Sequence, residues 1–283
     1  MSKLIIVGTP IGNLGDLSPR ALKALEDCDF IAAEDTRVTL KLLNHFGIKK
    51  PMTSYFEHNR REKGEQIAAR IAGGEVCALV TDAGMPAISD PGEDLVRLCR
   101  DLGLKVEVVP GPTAFVAALA LSGMPAGRFT FEGFLSVNKQ GRREHLAALK
   151  DEERTMVFYE APHKLRSSLK DFYEALGNRE IAIVREVTKI HEEVILTNLK
   201  EAAIKYETQP VKGEIVLIIR GKEAAEEIKI SLEDATEKAQ NLILQGFGLS
   251  EAAKTAAKET GYKKGEIYKA LAERAGNERK GGV

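Results

Sequence analysis

Tryptophan is absent from this 283-residue chain, and aromatic residues make up only 6% of it. With no stripe of aromatics, stacking-based reading of single-stranded nucleic acid cannot be argued from composition. Cysteine is scarce. Cys28, Cys77 and Cys99 sit in apolar or helical contexts without a CxxC spacing, which excludes a disulfide framework and fits a reducing cytoplasm. The histidines, His45, His58, His145, His163 and His191, are scattered, so no metal site is expected. No apolar run reaches the ~18 residues of a membrane span. Gly8 and Pro10 break the initial MSKLIIVG run too early for a signal peptide. Charge of one sign is missing too: 41 Lys and Arg stand against 42 Asp and Glu, so nothing global demands a nucleic-acid partner.

What is present is a repeated pattern of strand and glycine-rich loop. LIIVGTPIGNLG (4–15), VCALVTDAGMPAISDPG (76–92) and VEVVPGPTAFVAALALSG (106–123) each run from an apolar strand into a Gly/Pro loop. Such loops let a ligand approach bare backbone. Three of them at the carboxyl ends of parallel strands imply one shared pocket. The first loop is not GxGxxG, and no GxxxxGK followed by Ser or Thr occurs, which argues against a dinucleotide fold and a Walker loop. None of the three contains Lys or Arg, which argues against a polyphosphate. Their polar groups, Thr9, Asn13, Thr81, Asp82, Ser89, Asp90 and Thr113, suit a ligand with hydroxyls, amines and an adenine edge.

The spacing predicts an α/β fold of two α/β domains with a small helical C-terminal extension: 1–122, 123–222 and 223–283. Strands are expected at 4–7, 30–33, 76–80 and 106–109, alternating with helices, one of them at 60–72. The Gly/Pro break at 122–128 marks the domain boundary. The second half reads as a mixed sheet with strands at 129–135, 155–159, 181–185, 194–197 and 214–219 and a polar, basic loop at 136–143. In the tail, Ser231-Leu-Glu-Asp234 is a capping box. Two short helices around Gly261 then resemble a helix-turn-helix, with a plain helical hairpin as the alternative. Residues 221–245 carry a net charge of −3 and residues 246–283 a net charge of +3, a hint of an RNA-facing tip.

Taken in order, GTPIGNLGDLSPRA, AEDTR, TDAGMPAISDPG, VPGPTA, FYEAPHKL, REVTKIHEE and KGEIVLII resemble the ribosomal RNA small-subunit methyltransferase I family of the tetrapyrrole-methylase superfamily. The resemblance runs from Leu4 to about Gly221. It implies S-adenosylmethionine (SAM) held in a cleft between two α/β domains, a homodimer, and methyl transfer to the ribose 2′-hydroxyl of a cytidine in the decoding centre of 16S rRNA within the 30S subunit. Carried over by position, Pro10, Asp82, Met85, Pro86, Thr113 and Ala114 would meet the cofactor from the first domain. Tyr159 or Glu160 and the stretch with Gly213 and Glu214 would close the pocket from the second.

Methyl transfer from a sulfonium is an in-line displacement, so the protein mainly positions the reactants and excludes water. A ribose hydroxyl is a poor nucleophile that a base or a nearby cation would help. Asp35, Arg37, Glu160 and Glu186 are the candidates for this work, with His163, Lys189 and His191 behind them. The Glu34-Asp35-Thr36-Arg37 run is the preferred substrate-side cluster, although a helix cap alone accounts for Glu34 and Asp35. Lys139, Arg142 and Arg143 in the basic loop are candidates to grip RNA phosphates; a solvated loop is the alternative.

Overall fold

The computed structural model describes residues 2–223 and 231–280, with side chains described as far as Arg274. The chain divides into two compact units, residues 1–222 and 223–283.

In the first half, short apolar strands alternate with helices. β1 (Lys3–Val7), β2 (Phe30–Ala33), β3 (Met52–Ser54), β4 (Val76–Val80) and β5 (Val106–Val109) form one sheet in the order β3-β2-β4-β1-β5. Every pairing in it is parallel. The connections are α1 (Pro19–Asp27), α2 (Thr36–His45), α3 (Arg60–Ala72) and α4 (Glu93–Asp101). Strand side chains alternate between faces, so the sheet serves two cores. Ile5, Val7, Ile31 and Val80 meet Leu25 of α1 and Leu43 of α2. Leu4, Phe30, Cys77 and Leu79 meet Ile67 of α3 and Leu95 of α4. A sheet covered on both faces is why these strands read as continuous apolar runs. All three cysteines are free and buried here, and burial pushes the Cys99 thiol up to about 11. Local chemistry sets the helix starts. Ser18 Oγ accepts from Ala21 N at 3.1 Å ahead of Pro19, and the Asp35 carboxylate accepts from Arg37 N at 2.8 Å.

The rest of the unit contains α5 (Ala114–Ser122), β6 (Phe129–Phe134), α6 (Lys139–Ala148), β7 (Thr155–Glu160), α7 (Leu165–Leu176), β8 (Glu180–Arg185), β9 (Glu193–Asn198), α8 (Leu199–Thr208) and β10 (Ile215–Ile219). The five strands form a mixed sheet in the order β6-β7-β10-β8-β9. β6 runs parallel to β7, and the other pairs are antiparallel. α6, α7 and α8 cover one face, where Phe158 is fully buried with its ring edge-on to Phe172, centroids 4.7 Å apart. Burying such a side chain contributes about 1.5–3 kcal/mol. On the other face, Ala118 and Leu119 of α5 pack on Val157, Ala182, Val216 and Ile218. α5 follows directly on the third glycine loop of the first sheet, so it ties that loop to the second sheet.

Three expectations need correcting. The loop expected over 136–143 is helical from Lys139, because the Asn138 side chain caps the free N–H groups of Gln140 and Gly141 at 2.9 and 3.1 Å. α8 was not expected; Asn198 caps it by accepting from Glu201 N at 2.9 Å, and its apolar residues Leu199, Ala202 and Tyr206 complete the core over α7. β3, three residues long at the sheet edge, is too short to show a period.

The second unit contains α9 (Leu232–Leu244), α10 (Leu249–Thr260) and α11 (Lys264–Lys280). Ala235 and Ala239 of α9, Ala253 and Ala256 of α10, and Ile267 and Leu271 of α11 form its core. Ser231 and Asp234 make the reciprocal capping box. Glu226, Glu227 and Lys229, which enter the charge reading of the tail, lie outside the described residues, as do the side chains of Arg279 and Lys280. Among the described residues no helix is long and apolar enough to cross a membrane.

Candidate active site

The three glycine loops are locked to one another. Thr9 and Gly84 form an antiparallel bridge between the first and second loops, with N–H to C=O distances of 2.9 and 3.1 Å. Thr9 Oγ1 adds a bond to Thr81 O at 3.2 Å. The first and third loops meet at Gly8 and Gly111, so closely that a Cβ on Gly8 would lie 2.6 Å from Gly111 Cα. Met85 of the second loop fills the remaining corner, its sulfur accepting from Gly111 N at 3.2 Å. Only glycine at both positions allows this approach.

A cavity of about 260 Å³ opens where these loops face the second sheet. Ile11 enters it from the first loop, Met85, Ser89 and Asp90 from the second, and Thr113 and Ala114 from the third. The second sheet supplies Phe134 from β6, Tyr159 and Glu160 from β7, Val187 after β8, and Glu214 before β10. Phe131 stacks on Phe115 with centroids 4.3 Å apart and meets Tyr159 at 5.1 Å, which fixes the tyrosine ring. The charged groups lining the cavity are Asp90, Glu160 and Glu214, with no Lys or Arg. Two turns that line it hold left-handed residues other than glycine: Ala87 and Ser89 (φ +67° and +64°), and Glu186 and Thr188 (φ +54° and +65°). Such conformations cost on the order of 1–3 kcal/mol and cluster at ligand sites.

Carboxylates crowd one side. Glu34 accepts from Thr81 Oγ1 at 2.5 Å, and Asp82 accepts from Asp35 N at 3.1 Å. Burial, then the charges of Glu34 and Asp82, push Asp90 up to about 6. Asp82 is also shifted upward, by burial and by Glu34. Asp35 is held down to about 2 by the side chain and backbone N–H of Arg37, whose guanidinium pairs with it at 2.6 Å and is itself exposed. Glu186 is held low by Lys189 Nζ at 2.9 Å and Glu214 N at 2.8 Å. Glu160 is buried, one carboxylate oxygen accepting from Ala161 N at 2.8 Å. Among the described residues no group of three His, Cys, Asp or Glu side chains is placed to hold a metal ion.

Of the candidate cofactor residues, Met85, Thr113, Ala114, Tyr159 and Glu214 line the cavity, as does Glu160. Pro10, Asp82 and Pro86 do not; they lie in the loops that frame it. Gly213 lines a separate groove beside His163 and Lys212, and its missing Cβ makes room for Glu186, 2.5 Å from where one would stand. Asp35 and Arg37 stand outside the lining; Asp35 N donates to Asp82 of the second loop, which itself only frames the cavity. Arg142 is committed to Asp171, 2.6 Å away, with 21% of its side chain exposed, whereas Lys139 is exposed. The candidate contacts missed Ile11, Ser89, Asp90, Phe134 and Val187. Ser89 and Asp90 carry a signal as polar groups of a glycine loop; Phe134, at the end of β6, and Val187, in the turn after β8, carry no such signature.

The chain matches the family model described as Tetrapyrrole (Corrin/Porphyrin) Methylases over residues 3–203. It is 42% identical over 269 residues to "Ribosomal RNA small subunit methyltransferase I" of Synechocystis sp., covering 95% of this chain and 96% of that protein. It is 48% identical over 223 residues to the protein of the same name from Thermotoga maritima, covering 79% of this chain and all of the other. Among solved structures it resembles uroporphyrin-III C-methyltransferase from Thermus thermophilus complexed with S-adenosylhomocysteine. That likeness has a TM-score of 0.53 at 19% identity and covers 76% of this chain and 96% of the other, and it speaks for the fold. By sequence match and by fold, the chain belongs to the ribosomal RNA small subunit methyltransferase I family of the tetrapyrrole methylases.

Proposed function

We propose that this SAM-dependent methyltransferase methylates the ribose 2′-hydroxyl of a cytidine in the decoding centre of 16S rRNA, with the 30S subunit as substrate. The observation that carries the reading is the cavity between the glycine loops and the second sheet, lined by three carboxylates and no cation. Carboxylates at an apolar wall favour a positively charged ligand and penalise an anionic one, which fits a sulfonium cofactor. When bound, that cofactor supplies an already activated methyl group. The chain's own work is then to hold the ribose oxygen in line and receive its proton. Glu160 is the candidate base that lines the cavity; Asp35 and Glu186, both held at low pKa by ion pairs, act as positioning groups.

The reading extends to three domains, 1–122, 123–222 and 223–283, to cytoplasmic work and to a homodimer. An apolar helix supports the dimer. Residues 114–121 of α5 are all apolar, yet only one side of the helix meets the second sheet, and Val116 and Leu121 are exposed. On that same sheet face, Val194 and Leu196 of β9 continue the rows of Val184 and Ala182 and are also exposed. A helix apolar all round is a buried helix, and a second copy supplies the cover through a self-complementary patch. Light scattering is expected to give twice the chain mass for the wild type and a monomer for Val116→Glu/Leu121→Glu; a monomeric wild type removes the dimer.

The function is tested by transfer from labelled SAM to hypomethylated 30S subunits and, separately, to protein-free 16S rRNA, with the modified ribose mapped by its block to reverse transcription at low nucleotide concentration. Label at one decoding-centre cytidine in the 30S is expected. Tight SAM binding with no label in either substrate overturns the ribosomal substrate and leaves a methyltransferase of small molecules or proteins.

A further inference from the structure

We infer that the second unit is an RNA-binding helix-turn-helix that grips the substrate through the exposed face of α11. The inference rests on the rRNA reading above, since it supplies a second contact for the same RNA.

The geometry of the pair comes first. α10 ends at Thr260, Gly261 turns the chain in the left-handed region (φ +77°), and α11 begins three residues later at Lys264. Helices joined so tightly need small residues where they cross and an apolar anchor on the second helix. Ala253 and Ala256 of α10 and Ile267 of α11 meet that need, and all three are fully buried. With Ile267 and Leu271 turned inward, a helical repeat of 3.6 residues sets Lys264 and Tyr268 along the edge of that buried stripe and Gly265 and Lys269 on the side away from it, all four exposed and within the first two turns. In a helix-turn-helix, this part of the second helix is the part that reads nucleic acid.

The chemistry of that face fits RNA. Between residues 246 and 274 the chain carries six cations and four carboxylates. One carboxylate, Glu259, is already paired with Lys238 at 2.6 Å. Lys264 donates to Ser250 Oγ at 2.8 Å, a neutral partner that leaves its charge uncompensated. Lys269 stands 3.9 Å from Glu273 with 78% of its side chain exposed. Tyr268 presents an exposed ring between them, suited to stacking on an unpaired base. A couple of cations and one aromatic ring fit a loop or single strand better than duplex DNA, where binding proteins contact roughly 6–10 phosphates.

The unit is also separable from the methylase. The family model ends at residue 203. The Thermotoga maritima relative aligns over its whole length with 79% of this chain, and the share left over is the size of the second unit. An accessory grip carried on the same chain raises the local concentration of substrate without taking part in the chemistry.

The test uses the full chain and a fluorescein-labelled RNA fragment of the 16S decoding region, read by anisotropy across a salt series. Lys264→Glu/Lys269→Glu is expected to weaken binding at least tenfold and to make the logarithmic salt slope shallower by roughly one to two, as loss of two phosphate contacts requires. Tyr268→Ala is expected to weaken binding about fivefold or more, and Tyr268→Phe to retain it, which separates ring stacking from misfolding. SAM affinity by calorimetry stays at the wild-type value in all three. Wild-type RNA affinity in both the charge-reversal variant and Tyr268→Ala overturns the inference, as does duplex DNA competing as well as the RNA. These comparisons need no methyl transfer, so a wild type that binds the RNA without methylating it refutes the substrate reading and leaves the binding face standing.

Discussion

Lys189 lies across the backbone of Gly12: a Cβ at position 12 would fall 2.4 Å from Lys189 Cγ. The lysine comes from the turn after β8 and Gly12 from the loop after β1, so this contact joins the two sheets beside the cavity. The ammonium is clamped by Glu186 Oε1 at 2.9 Å and Glu214 Oε2 at 3.2 Å, and Glu186 holds Glu214 N in turn. Gly12→Ala therefore pushes the clamp aside, and its φ of +152° adds strain. Weaker SAM binding, by roughly tenfold, and a lower Tm are expected. Calorimetry and thermal melting that both match the wild type would refute the clamp.

Gly8 and Gly111 make a second close approach, backbone on backbone. Gly111→Ala has no flexible side chain to displace, because a Cβ there meets Gly8 Cα at 2.7 Å. Overpacking of this kind costs about 1–3 kcal/mol. Gly127→Ala, with nothing within 4 Å, is the control and stays near neutral. Equal urea midpoints for the two variants would show that the loops have room to part.

Asp90 makes cofactor binding pH-dependent. Its carboxyl is raised to about 6 by burial and by Glu34 and Asp82, with Thr81 bonding in the opposite sense. Above pH 6 it is ionised and adds negative charge to the cavity wall, so SAM affinity rises as pH passes through about 6, and the rise is shallower for the uncharged thioether product. The stability effect has the opposite sign. The folded state holds a proton that the unfolded chain releases near 3.9, so stability is greatest below that value and falls as pH climbs to 6. Asp90→Asn flattens both profiles; an unchanged SAM profile in that variant would sink the assignment.

Glu160 is set apart from the other candidate bases by its place in the cavity lining. Glu160→Gln keeps the shape and removes the base, and kcat is expected to fall by about 10²–10⁴ with SAM affinity little changed. Asp35→Asn and Glu186→Gln are expected to cost less in kcat and more in binding. A Glu160→Gln enzyme with wild-type kcat would reduce the chemistry to positioning.

Arg142 and its neighbours separate by partner. Arg142→Ala leaves the Asp171 carboxylate half-buried and unpaired, which costs about 1–3 kcal/mol of stability. Lys139→Ala/Arg143→Ala leaves the melting temperature unchanged and raises KM for the 30S substrate. An unchanged KM in that double variant would remove this segment from the RNA contacts.

The sequence by itself determined four of the five strands of the first sheet and its glycine loops, β3 being the exception. Continuous apolar runs such as VCALV mark strands buried on both faces, and the glycines and prolines that end them are local signals. The pairing of Gly8 with Gly111 and of Thr9 with Gly84 was decided by tertiary structure, because each joins residues from 75 to 103 positions apart. The same holds for the cavity wall drawn from the second sheet. Phe134 ends β6 and Val187 sits in the turn after β8, neither with a distinctive composition, and only the order β6-β7-β10-β8-β9, with α5 carried across from the first sheet, brings them and Glu214 to the loops. The roles of charged residues were likewise settled in three dimensions. Lys139 and Arg142 look alike in sequence and lie one turn apart on α6, yet Lys139 is exposed while Arg142 pairs with Asp171 of α7, because the partner comes from another helix and a string of letters does not show which residue that helix brings within reach.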